Sequence, residues 1–194
     1  MKIVRSKREL IIDGAIKVFA REGFHKAKVE DIADVAGVGK GTIYEYFESK
    51  KHLFQETLAF SLEIYVSNIE SVLQKQQTTE EKLRNFFLLI IGFTQQHLDI
   101  LKVFSQEMWR HEEEIMSLMI ETKDRVITMV ETILADAIKE EEFRVIDTKT
   151  ASISFLGGIN YMVMYHICIA QDRITEEIID SYISLFINGL KNHP

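Results

Sequence analysis

The sequence is nearly empty of the residues that break or cross-link a chain. Its one proline is Pro194, so no earlier position carries an obligatory helix breaker. Its one cysteine, Cys168, excludes an intrachain disulfide and a cysteine metal cluster. Strand-like alternation is scarce, whereas apolar residues recur at spacings of three and four throughout. The expectation is an all-α protein. The opening MKIVRSKREL is basic but lacks the apolar run of a secretory signal. With a lone cysteine, this points to a reducing, cytoplasmic setting.

Catalytic motifs are missing too. There is no G-x-S-x-G, and Glu107, His111 and Glu114 have the wrong spacing for a di-iron E-x-x-H pair. No catalytic residue, metal or cofactor is expected. Ala151 to Ala170 is a stretch of 20 residues without formal charge, long enough to cross a bilayer. Ser152, Ser154, Asn160, His166 and the Gly157-Gly158 pair instead favour a helix buried by its neighbours. No membrane partner is expected.

What is present is uneven charge and clear helical punctuation. Residues 1–55 carry 11 Lys/Arg against 8 Asp/Glu, while the remainder carries 12 against 22. A locally basic start on an acidic protein suits a face that meets a polyanion. Helices are predicted over 6–22, 29–36, 40–46 and 50–76, then from the T-x-x-E capping box Thr78–Glu81. Others follow over 100–110, 111–140, 148–171 and 176–191, with Asp147 and Thr175 as caps. That is nine helices, three small and six larger.

The stretch GVGKGT at 37–42 resembles a phosphate loop at first sight. A Walker loop needs G-x-x-x-x-G-K-[ST] after a strand. Here Lys40 is followed by Gly41, Asp34 stands where the first glycine belongs, and VEDIADVA before it is helical. A helix-turn-helix fits better. Gly37 gives a turn that tolerates positive φ, and Val38 plugs the angle from inside. Lys40, Gly41 and Thr42 then open the second helix at the end that enters a major groove. Gly41 lets backbone approach DNA. Thr42, Tyr44 and Tyr46 offer hydroxyls to phosphates, and Lys50 a charge just beyond. Tyr44 and Tyr46 cannot both face one way on a helix.

Residues 20–54 are similar to the DNA-binding part of the TetR family of bacterial regulators. The resemblance is carried by Ile32-Ala33, Ala36-Gly37-Val38, Gly41-Thr42-Ile43-Tyr44, Tyr46-Phe47 and Ser49-Lys50. It implies a DNA-binding helix-turn-helix domain over 1–48 and a ligand-binding and dimerisation domain over 49–194. It also implies a homodimer on a double-stranded, palindromic operator, released by a small hydrophobic effector. By residue match, Lys40 reaches base edges, while Thr42, Tyr44 and Lys50 contact phosphate. The family often has Ser or Thr opening its second helix; here Ala27 and Lys28 stand there. Lys28 either replaces that contact with a charge or is only solvated.

The last helix carries a stripe of Ile174, Ile178, Ile179, Tyr182, Ile183, Phe186, Ile187 and Leu190. Its own chain can satisfy that stripe, or two subunits can pair it with the uncharged helix before it. In the second case Phe155, Gly158, Met162, Ile179, Tyr182, Ile183 and Phe186 form the dimer face. Candidate pocket residues are Phe86, Phe93, Thr94, Phe104, Met108, Trp109, Met119, Asn160, Tyr161 and Tyr165, with His97 as another polar group. Stripes of this kind are more often plain core. The N-terminal stretch is also similar to repressors of fatty-acid breakdown, which implies an acyl-CoA effector, with Arg110, Lys123 and Arg125 as basic candidates. The alternatives are a multidrug-type sensor of hydrophobic cations and a helical protein–protein adaptor.

Overall fold

The computed structural model describes residues 6–73, 77–108 and 113–191, the side chains of 106–108 and 168 excepted. The helices are α1 (Lys7–Lys26), α2 (Val29–Ala36), α3 (Lys40–Tyr46), α4 (Lys50–Leu73), α5 (Thr79–Met108), α6 (Glu113–Lys139), α7 (Thr148–Val163) and α8 (Glu176–Leu190). A π-helical segment, Met164–Ala170, prolongs α7. The fold is all-α; among the described residues the only ladder-like pairing is an isolated bridge between Phe143 and Lys191.

Local chemistry explains most boundaries. Ser6 and Glu9 form a capping box at α1. Ser49 Oγ accepts from His52 N at 3.0 Å and starts α4. The Thr78–Glu81 box opens α5, with Glu81 reaching back to Thr78 N at 2.8 Å. Asp147 and Thr175 cap α7 and α8 as the sequence predicts. Each such cap supplies an acceptor to a first-turn N–H that has no helical partner. Gly23, at φ 75° and ψ 164°, interrupts α1, and one further turn follows to Lys26.

Two expectations need correction. The helices expected on either side of residue 98 are one, α5, bent at His97 (φ −118°, ψ 17°). No proline or glycine near His97 stops the chain, so the ladder bends and resumes. The uninterrupted α-helix expected over 148–171 is instead α7 followed by the wider π turn, which ends at Gln171 in the left-handed conformation (φ 54°).

The chain divides into two compact units. The first runs to Ile64 and includes His97–Ile120; the second holds Tyr65–Gln96 and the chain from Glu121 onward. Helices α4, α5 and α6 contribute to both. In the first unit Phe54 is the hub. Its ring lies 5.0 Å from Phe19, 4.8 Å from Phe24 and 5.1 Å from Phe104. Ile12, Ile32, Ile43 and Phe47 close around that group. In the second unit Phe155 is central, 4.8 Å from Phe186 and 6.3 Å from Phe86, among Phe87, Val130, Leu134 and Ile183. Each fully buried phenylalanine contributes about 1.5–3 kcal/mol.

One described helix, Thr79–Ser105 of α5, is long and apolar enough to cross a membrane by length and composition. Leu83, Phe86, Phe87, Ile90 and Ile91 of that helix are buried in the second unit's core.

Candidate nucleic-acid interface

The turn between α2 and α3 is built on Gly37 at φ 68°, ψ 33°, whose N–H donates to Ala33 O and Asp34 O. Val38 N adds a bond to Ala33 O at 3.0 Å. These bonds close the helix end in the left-handed manner that glycine permits. Val38 packs against the first unit's core, as the plug expected from its position.

Two residues hold α3 from beneath: Ile43 and Phe47 are both 1% exposed. Their spacing fixes the rotation of the helix. Lys40, Gly41, Tyr44, Glu45 and Tyr46 are consequently exposed, and Thr42 is half-buried. A side chain at Gly41 would meet open space. Its glycine therefore answers no demand of this chain's own packing. Tyr44 and Tyr46 both keep exposed rings.

Lys40 Nζ bonds Glu30 Oε1 at 2.6 Å and lies 6.0 Å from the Tyr44 ring centre. The hydrogen bond, then the charge of the partner, holds the Lys40 ammonium above the ordinary lysine range. The same bond holds the Glu30 carboxyl below its ordinary value. Glu30 was not singled out in the sequence, because its partner lies ten residues away across a turn. Lys28 is exposed and is the N-cap of α2, with no side-chain capping bond. Lys50 is placed differently. It is half-buried, and its Nζ donates to Phe24 O (2.9 Å), His25 O (3.2 Å) and Ala27 O (3.0 Å).

In the second unit, Phe155, Ile179 and Ile183 lie inside this chain's own core. Gly158 also serves its own chain. A Cβ there would stand 2.3 Å from Tyr182 Oη, which donates to Phe155 O at 2.6 Å. Burial pushes the Tyr182 phenol up to about 12. Met162, Glu177, Ile178, Ser181, Tyr182 and Leu185 line an open groove of about 430 Å³. On α7, Ile153 and Tyr161, on its π extension Met164, Tyr165 and Ile169, and on α8 Leu185 leave apolar surface exposed. Leu185, at 75% exposure, is the residue the stripe reading missed. It continues Ile178 and Ser181–Tyr182 at spacings of three and four.

The pocket candidates scatter. Phe86 and Phe104 are fully buried, each in the core of its own unit. Phe93 is half-buried with its ring 4.6 Å from Tyr65, and Thr94 is half-buried. Met119 packs on the first unit's core. Asn160, Tyr161 and Tyr165 are exposed. Partial burial holds the His97 imidazole below its ordinary range. Arg125 faces Glu70 at 3.7 Å. Trp109, Arg110 and His111, and the side chains of Glu107 and Met108, lie outside the described residues.

A left-handed glycine turn and a short helix anchored from below with its leading end in solvent define a DNA-binding helix-turn-helix regulator. Comparison with known proteins agrees. Residues 11–57 match the model of bacterial regulatory proteins, tetR family, and residues 76–165 match the tetracyclin repressor-like C-terminal domain. The chain belongs to the TetR family of transcriptional regulators.

It is similar to the fatty acid metabolism regulator protein of Bacillus subtilis (strain 168), 27% identical over 99% of this chain and 100% of that protein. Its fold is that of the regulator FadR from Bacillus subtilis, solved in complex with stearoyl-CoA (TM-score 0.78, 24% identity, 93% of this chain and 98% of that one). It also matches the ketosteroid transcriptional regulator KstR2 of Mycobacterium tuberculosis (TM-score 0.68, 20% identity, 98% and 97% covered). Regulators named for different ligands thus share this fold.

Proposed function

We propose that this protein is a cytoplasmic, homodimeric repressor that binds a palindromic operator through α3 and is released by a long-chain acyl-CoA. The observation that carries the reading is the anchoring of α3 by Ile43 and Phe47, which turns Lys40, Gly41 and Tyr44 outward. Lys40 is assigned to base edges. Thr42, Tyr44, Tyr46 and Lys28 are assigned to backbone phosphates, which set register without reading sequence.

Self-association is supported by the exposed apolar residues of α7, its π extension and α8, Leu185 among them in the groove. A face of this kind on both copies gives a self-complementary two-fold interface, and stable ones bury about 800 Å² per partner. The effector class is supported by end-to-end likeness to a fatty acid metabolism regulator. By linkage, an effector that weakens DNA binding by some factor is itself bound more weakly by that factor on DNA.

The test is a fluorescence-anisotropy titration of duplex taken from upstream of the protein's own coding sequence. Separate arms add palmitoyl-CoA, CoA alone and a cationic dye. Release by palmitoyl-CoA alone supports the proposal. Release by the dye alone replaces it with a sensor of hydrophobic cations. No binding to any duplex at low salt overturns it in favour of a protein–protein adaptor.

A further inference from the structure

We propose that Lys50 is a positioning residue for the reading head, holding the end of α1 and the entry to α2, and not a phosphate contact. The inference rests on the DNA-binding reading above and refines the role of one residue in it.

A lysine ammonium has three N–H donors. In Lys50 all three have acceptors, the carbonyls of Phe24, His25 and Ala27 at 2.9, 3.2 and 3.0 Å. The Nζ also stands 4.8 Å from the centre of the Phe24 ring, a favourable place for a cation. No donor remains for a phosphate oxygen unless one of these bonds breaks.

The acceptors lie where α1 most needs a partner. Gly23 interrupts its ladder, and the following turn ends with Ala27 as the C-cap. Carbonyls at a helix end lack intrahelical donors and carry the negative end of its dipole. Lys50, the first residue of α4, supplies both hydrogens and charge from a position 23–26 residues away. The next helix begins at Val29, and its N-cap Lys28 makes no side-chain cap bond. The entry to α2 is thus fixed by Lys50 rather than by a cap of its own.

Aromatic packing continues the same brace. Phe24 lies against Phe54 at 4.8 Å and Phe19 at 6.0 Å. Helix α2 in turn packs closely on α1 at Gly14, where an added Cβ would stand 3.1 Å from both Ala36 Cβ and Ile32 O. A shift at residues 24–28 would therefore move α2, and with it the turn that aims α3. Lys28 and Lys40, by contrast, are exposed and suit direct contact.

The experiment uses the full chain as parent, Lys50→Met and Lys50→Gln, with operator affinity measured at several salt concentrations. Each phosphate contact contributes about 0.9 to the slope of log K against log salt, so one contact per subunit is worth about 1.8 in a dimer. The expected result is that Lys50→Met binds about five- to tenfold more weakly, the size of a lost helix-end interaction, with the parental slope. Lys50→Gln, whose amide retains two donors, recovers part of the loss. A slope lower by the phosphate amount in both variants overturns the assignment.

Hydrogen exchange of the free protein gives a second, DNA-independent reading. Lys50→Met should speed exchange over residues 24–32, and unchanged exchange there also overturns the proposal. A parent that binds no duplex strikes the functional reading, while the exchange result still decides the role of Lys50.

Discussion

Gly158→Ala offers a test of the second unit because a helical Gly→Ala change ordinarily stabilises. Alanine is better than glycine in a helix interior by about 0.8–1 kcal/mol. At Gly158, however, the added carbon would stand 2.3 Å from Tyr182 Oη, 2.8 Å from Cε2 and 2.9 Å from Cζ. The ring cannot simply swing aside. Its hydroxyl is bonded to Phe155 O at 2.6 Å, and its edge packs on Phe87 at 5.3 Å with an interplanar angle of 75°. Relief of the clash therefore breaks the hydrogen bond, worth about 0.5–1.5 kcal/mol, and adds an overpacking cost of about 1–3 kcal/mol. Set against the propensity gain, the net is a loss of roughly 1–3 kcal/mol, or a fall in Tm of several degrees at about 2–4 °C per kcal/mol. Gly92→Ala is the control: it sits in α5 with open space around a would-be Cβ, so it should gain about 0.5–1 kcal/mol. Thermal melts followed by circular dichroism measure both. Equal shifts in the two variants, or a stabilised Gly158→Ala, would refute the packing argument.

The other expectations concern single groups. Ser152 Oγ is buried without a hydrogen-bond partner, so Ser152→Ala should stabilise the protein by about 1 kcal/mol; a lower Tm would show that the hydroxyl is bonded. Burial pushes the Tyr65 phenol from 10.0 up to about 12. Its share of stability is complete below the unfolded value and is lost as pH rises through that interval. Between about pH 9 and pH 11, Tyr65→Phe should lose less stability in urea titrations than the parent; an identical decline would contradict the assignment. Lys40→Ala should relax sequence preference, read by selection from random duplexes; recovery of the parental motif would remove Lys40 from base reading.

The parts that were legible in the sequence are those governed by local rules. Ser49, Thr78–Glu81, Asp147 and Thr175 announce helix starts because a capping oxygen acts within three residues. Gly37 announces the turn because few other residues adopt its φ. Three features were not legible. The bend at His97 leaves no breaker in the sequence, so a pause in the pattern reads as two helices. The α8 stripe reads alike whether it meets α7 of its own chain or of a second copy, and Ile179 and Ile183 prove to be interior. Lys50 and Gly158 have their neighbours more than twenty residues away, which spacing cannot reveal. Glu30 is similar, since its link to Lys40 exists only once the turn has folded.

The most direct measurement is the stoichiometry and salt dependence of operator binding by the purified protein, followed by analytical ultracentrifugation with labelled duplex. The account requires an even number of chains per duplex, an affinity that falls steeply with added salt, and loss of preference for the operator over scrambled DNA when Lys40 is replaced. One chain per duplex, or no complex with any duplex at low ionic strength, would contradict it.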